Sequence, residues 1–178
     1  MKRIQVPAVF NKYIIPASVI LIMGFLIGLS AINFVYEQQR TDFKVITCDL
    51  AQLSNIFQRI NNDCTILSFD AQKNPINFLN VEKFVGSEVG PMNLAYPENW
   101  KGPYVQDNPT IQGYEYLVVS TNQGLYITPG EGVELPNGKI IGQDLQLTPG
   151  ADLEAAAMDP EQFSYRSSPL VLPIKINP

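Results

Sequence analysis

Residues Tyr13–Val35 read YIIPASVILIMGFLIGLSAINFV, and no charged side chain falls between Lys12 and Glu37. As a helix rising about 1.5 Å per residue, the run spans roughly 34 Å, enough to cross a hydrocarbon core of about 30 Å. Lipid offers the backbone no hydrogen-bond partners, so a lone segment of this kind is expected to be helical. Pro16 lies near the expected start, where a missing donor costs least. A cleaved signal sequence would have a shorter apolar core, about 7–15 residues, ending in a small-x-small site. Ser30-Ala31-Ile32 is a poor site of that type, and the run leads without a break into a second helical pattern, so the segment is expected to be retained. Gly24, Gly28 and Ala31 fall near one another on the expected helix surface, and Gly24 and Gly28 form a small-xxx-small pair that lets another helix approach closely. A plain membrane anchor with incidental glycines is the alternative.

Outward from that stretch, charge sets an orientation. Lys2, Arg3 and Lys12 make residues 1–12 an expected basic, cytoplasmic tail. The whole chain of 178 residues carries −5, which leaves −8 for residues 36–178. That segment is long enough for one modest domain with its own core, and it is expected outside, periplasmic or extracellular. Its acidity and its lack of a basic stripe with interleaved aromatics argue against a nucleic-acid partner.

Past the span the helical period continues. Phe43, Ile46, Leu50, Leu53, Phe57 and Ile60 recur by threes and fours, with Glu37, Arg40, Asp42, Lys44, Asp49 and Gln52 off the stripe. No glycine or proline interrupts residues 29–60. One helix from about Tyr13 to Ile60 is expected, transmembrane over 13–35 and an amphipathic stalk over 36–60; two helices with a kink at the membrane surface are the alternative. Asn61-Asn62-Asp63 reads as a stop signal.

Cys48 and Cys64 are the only cysteines. A bridge needs Cα atoms within about 7 Å, so it closes only if the helix ends by Ile60 and the chain reverses sharply. A disulfide and two buried free thiols both stay open. With no histidine, two cysteines make a poor zinc site.

Residues 61–112 read as an irregular link. Within it, Thr65–Phe69 suggests a short strand, Asn74-Pro75 a turn, and residues 76–85 a short helix. Residues 113–147 read as a β-meander. Tyr114–Ser120 and Leu125–Thr128 are rich in strand formers, and Pro136-Asn137-Gly138 is a hairpin signal. Residues 148–178 suggest a short helix over Ala151–Met158 and a proline-limited edge strand or extended arm. The expected fold class is therefore α+β: a long N-terminal helix, transmembrane then amphipathic, packed on a small antiparallel sheet.

Trp100-Lys101-Gly102-Pro103-Tyr104-Val105 resembles the W-x-G-P-Y-L turn of major type II secretion pseudopilins. With the long half-membrane helix and the tyrosine-rich strand after it, the chain is similar to the type IV pilin and pseudopilin family. The likeness covers most of the chain as architecture and residues 96–128 as sequence. It implies a pilin-like fold and a structural role, with Trp100, Gly102, Pro103 and Tyr104 forming an aromatic turn. The family's basic leader, cut after Gly and followed closely by Glu, has only a displaced echo in Gly24-Phe25, so the N-terminus is expected to stay uncut. Major pseudopilins tend to hold calcium in sheet loops. The resemblance points to Glu131, Glu134, Asn137 and Asp144 as hard oxygen ligands, with a solvated acidic loop as the alternative.

The absence of histidine removes Ser-His-Asp and Cys-His arrangements, and no phosphate-cradling glycine motif is present. No enzyme, no other cofactor and no small-molecule substrate are expected. The expected partners are the membrane and other protein subunits, reached through the transmembrane helix. A membrane-tethered binding module, or an accessory subunit of a larger membrane complex, is the second reading.

Overall fold

The computed structural model describes residues 8–84 and 88–176, with side chains from Ile14 onward except Ile15 and Glu88. The expected cytoplasmic tail lies mostly outside these residues, as do Val85 and Pro178. The chain divides into two compact units, residues 1–40 and 41–178.

Helix α1 runs Ala8–Cys64 without interruption. It starts before Tyr13 and passes Ile60, so both expected ends are corrected. Pro16 sits inside it rather than in its first turn, and removes only the single N–H bond to the carbonyl of Lys12. In the first unit every side chain from Pro16 to Gln38 is exposed. This is the chain's one described helix long and apolar enough to cross a membrane.

Asn61-Asn62-Asp63 does not stop the helix. Asn61 closes its C-terminal end instead: its carbonyl accepts from Thr65 N–H at 2.9 Å and its Oδ1 from Ile66 N–H at 3.0 Å. Thr65 then turns the chain with φ 54°.

The second unit is α+β. Its strands are β1 (Ile66–Phe69), β2 (Lys73–Pro75), β3 (Glu88–Val89), β4 (Met92–Leu94), β5 (Thr110–Ile111), β6 (Tyr114–Glu115), β7 (Leu117–Thr121), β8 (Gly124–Thr128), β9 (Ser164–Tyr165), β10 (Ser168–Pro169) and β11 (Leu172–Ile174). A four-stranded antiparallel sheet has the order β11-β8-β7-β2, and a three-stranded one has β1-β4-β3. β5-β6 and β9-β10 are separate hairpins. The turn of helix α2 (Leu153–Ala156) is capped by Asp152, whose carboxylate accepts from Ala155 N–H.

The stripe behaves as its spacing predicts. Ile46, Leu50, Leu53, Phe57 and Ile60 are buried in one core with Ile76, Phe78, Leu79, Val118 and Ile127. Phe57 sits between Phe69 and Phe78, with ring centroids 6.2 and 6.4 Å away.

Three expectations are corrected. Residues 113–147 are not a meander: past β8 they contribute only the isolated bridges Glu134–Ile140 and Ile141–Leu145, and the sheet recruits β2 and β11 from distant segments. Residues 61–112 are not an irregular link but supply β1 to β5. The segment after β2 is not helical, because side chains satisfy its backbone instead. Asn108 Oδ1 accepts from Leu79 N–H, Asn108 Nδ2 donates to Asn77 O, and Tyr104 N–H donates to Leu79 O.

Candidate functional site

Four groups of residues bear on function. The first is the small-residue face. Gly24 and Gly28 lie four apart in α1, and an added Cβ at either meets nothing within 4 Å. Ala31 continues the same face three residues on and is exposed. The face is open and shallow, the shape that lets a second helix come close.

The second is the aromatic turn, whose residues do converge. Trp100 Nε1 donates to Val81 O at 3.1 Å, and its ring meets Phe84 and Tyr104 edge-on at 5.0 and 4.7 Å. Tyr104 Oη accepts from Lys101 N–H. Gly102 is packed so closely that an added Cβ would lie 2.1 Å from Val81 O and 2.4 Å from Trp100 Nε1. Pro103 follows it through a cis peptide bond. The turn is thus a strut that pins residues 79–84 to residues 100–104.

Arg59, from α1, lies 5.5 Å over the Tyr104 ring. It also borders a hollow of about 450 Å³ with Cys48, Gln52, Asn55, Ile56 and Tyr104. Burial pushes the Tyr104 phenol up from its ordinary value. Sequence reading missed Arg59 and Phe84; the one signal available for Arg59 was a cation next to Ile60 of the apolar stripe.

The third group is the cysteines, and no bridge forms. Both are free, Cys48 exposed and Cys64 buried. Helix continues through Cys64, so sixteen residues of helical rise, about 24 Å, separate Cα atoms that a bridge needs within about 7 Å. The alternative of two buried thiols fails at Cys48. Burial pushes the Cys64 thiol up, with Asp63 adding to the effect.

The fourth group is the loop acids, which do not gather. Among the described residues no three His, Cys, Asp or Glu side chains form a group that holds a metal. Glu131 pairs with Lys73, and Asp144 Oδ2 accepts from Ile140 N–H at 2.9 Å. Asn137 Nδ2 donates to the carbonyls of Pro160 and Gln162. Glu134 is held through its backbone by Gln112, at 2.9 Å in each direction. Local backbone bonds hold Asn137 and Asp144 in separate turns, so the four residues do not make one ligand set.

One pair escaped the sequence altogether. Tyr116 Oη donates to Asp49 Oδ2 at 2.8 Å, and Tyr116 is fully buried. Asp49 flanks the stripe three residues after Ile46 and four before Leu53, a spacing that was readable. Burial raises its carboxyl pKa, which the Tyr116 hydrogen bond partly offsets. Burial also pushes the Tyr116 phenol well up, and Asp49 adds to this. A raised carboxyl means the folded state takes up the proton more readily than the unfolded one. The associated stability is present below the unfolded Asp value, about 4, and is lost as pH rises through the raised folded value. Asp49→Asn keeps an acceptor for Tyr116. It is therefore expected to gain stability relative to wild type on going from pH 3 to pH 7, measured by urea unfolding at both pH values. An unchanged difference between the two proteins would mean the carboxyl is not desolvated.

The chain matches no family model, no curated protein sequence and no solved structure.

Proposed function

We propose that the chain is a single-pass, membrane-anchored structural subunit of pilin or pseudopilin type. It would be non-catalytic, with its N-terminus cytoplasmic and residues 36–178 periplasmic or extracellular. It would serve a secretion- or pilus-type assembly through its transmembrane helix. The carrying observation is α1: an uncharged apolar run whose described side chains, from Pro16 to Val35, are all exposed, with the open Gly24–Gly28 face within it. Exposed apolar surface on this scale is stable in lipid and not in water. The glycine face is what close helix association requires. The stripe from Ile46 to Ile60, buried in a small α+β unit, and the Trp100–Tyr104 strut also support the reading.

Crosslinking tests it. Gly28→Cys in a Cys48→Ser background, oxidised in native membranes, is expected to give a dimer. A protein that stays monomeric at this position and at Gly24→Cys contradicts the assembly role.

A second reading is a tethered binding module. The hollow between Cys48, Arg59 and Tyr104 favours it, because Arg59 offers a cation on an otherwise uncharged lining. Tyr104→Ala that leaves unfolding unchanged yet abolishes capture of an isolated membrane partner would favour this module.

A further inference from the structure

Asn137-Gly138 is the one Asn-Gly step in the chain. An asparagine before glycine is open to attack by its own backbone. The glycine nitrogen, once its proton is lost to base, has no side chain beside it to hinder approach to the asparagine Cγ. An N–Cγ bond forms, the Cγ–Nδ2 bond breaks, and the departing nitrogen takes up a proton and leaves as ammonia. The cyclic imide left behind is opened by water at either carbonyl, which gives aspartate or isoaspartate. Water is the only co-reactant, and nothing is oxidised or reduced.

The folded chain holds both reacting groups back. Pro136-Asn137-Gly138 forms the loop of a tight hairpin, in which Leu135 N–H donates to Lys139 O and Gly138 N–H to Leu135 O, each at 2.8 Å. Gly138 takes the positive φ, 82°, that such a loop requires. The proton on the attacking nitrogen is therefore engaged inside the turn. The carboxamide is engaged at both ends: Nδ2 donates to Pro160 O at 3.0 Å and to Gln162 O at 2.7 Å, and Oδ1 accepts from Lys139 N–H at 3.2 Å. Attack requires the carboxamide to leave all three partners and the Gly138 N–H to leave a fourth.

The same bonds determine what conversion does. A carboxylate has no proton to donate, so the bonds to Pro160 O and Gln162 O are lost and the new charge faces two carbonyl oxygens. Isoaspartate also lengthens the backbone inside the turn by one carbon. Residues 160–162 are exposed, and the buried Phe163 follows them. Asn137 ties this segment to the hairpin. We infer that Asn137 is a deamidation site that the fold keeps closed. It reacts when the 135–139 hairpin opens, and its conversion then unties residues 160–162 irreversibly. The inference concerns the unit of residues 41–178 alone.

The test incubates the full chain in detergent at mildly alkaline pH, folded and in denaturing urea. Mass spectrometry follows the peptide that holds Asn137 and separates aspartate from isoaspartate. Conversion in urea is expected to be at least about tenfold faster than in the folded protein, because the native reaction must pass through local opening. Equal rates would show that the hairpin does not protect Asn137, and no conversion in urea would remove the site. Asn137→Asp tests the consequence. It is expected to lower the unfolding midpoint and to speed hydrogen exchange at the Gln162 and Phe163 amides, which donate to Asp159 O and Ala156 O. Wild-type stability and exchange in Asn137→Asp would overturn the untying. Should that variant not fold, the two rates measured on the wild-type chain still decide the inference.

Discussion

Phe57→Ala is expected to cost about 3–5 kcal/mol of the stability of the unit formed by residues 41–178. Phe57 is fully buried near the C-terminal end of the helical stripe, and Phe69 and Phe78 pack against it from the segments after the helix. Truncation removes the largest fully buried side chain on the stripe and leaves a cavity that two rings, each held by its own strand or turn, cannot collapse to fill. A domain of this size has roughly 5–15 kcal/mol in total, so the variant retains little reserve. Urea unfolding followed by far-ultraviolet circular dichroism measures the effect. Gln58→Ala, one residue on and exposed, is expected to stay within about 0.5 kcal/mol. A loss below about 1 kcal/mol at Phe57 would place that face of α1 outside the core.

Gly102→Ala is the second large effect, at about 3 kcal/mol. The new methyl would meet Val81 O and Trp100 Nε1 far inside contact distance. It must push apart the two groups that share a hydrogen bond. Overpacking costs about 1–3 kcal/mol, and the lost bond about 1 more. Trp100 is the chain's only tryptophan, so its emission reports the event directly. The expected result is a red shift and a lower unfolding midpoint. Unchanged emission with unchanged stability would mean the indole is not held by Val81.

These two sites show what the chain disclosed before its structure. Phe57 was legible because helical periodicity is a local signal: spacing by threes and fours assigns a residue to a buried face wherever the partner surface comes from. The long apolar helix was legible for the same reason, since absence of charge over a fixed length is readable residue by residue. Asn61-Asn62-Asp63 misled because the same side-chain oxygens that break helices also cap them, and Asn61 caps. The disulfide fell with that misreading, because four more helical residues carry Cys64 away from Cys48.

Sheet partners were illegible. Asn74-Pro75 looks like a turn, yet Asn74 turns its side chain inward onto Ala71 and Val118 while Pro75 occupies the sheet edge, where no donor is needed. Pairing β11 with β8 joins segments more than forty residues apart, which no local pattern encodes. The Trp100 strut was half legible: the motif named the turn, but not Val81, Phe84 or Arg59. Glu131, Glu134, Asn137 and Asp144 do not gather because composition says nothing about where side chains point. Asp49–Tyr116 was missed although its spacing was available, since a carboxylate beside a stripe reads first as solvated.

The most direct test of the central claim is a cysteine scan through α1 in membranes. Single cysteines from Ile20 to Phe34, each with Cys48→Ser, are oxidised and scored for dimer. Dimer yields are expected to rise and fall with the helical period and to peak at Gly24, Gly28 and Ala31. A flat profile, or a protein washed from the membrane by alkaline carbonate, would contradict it.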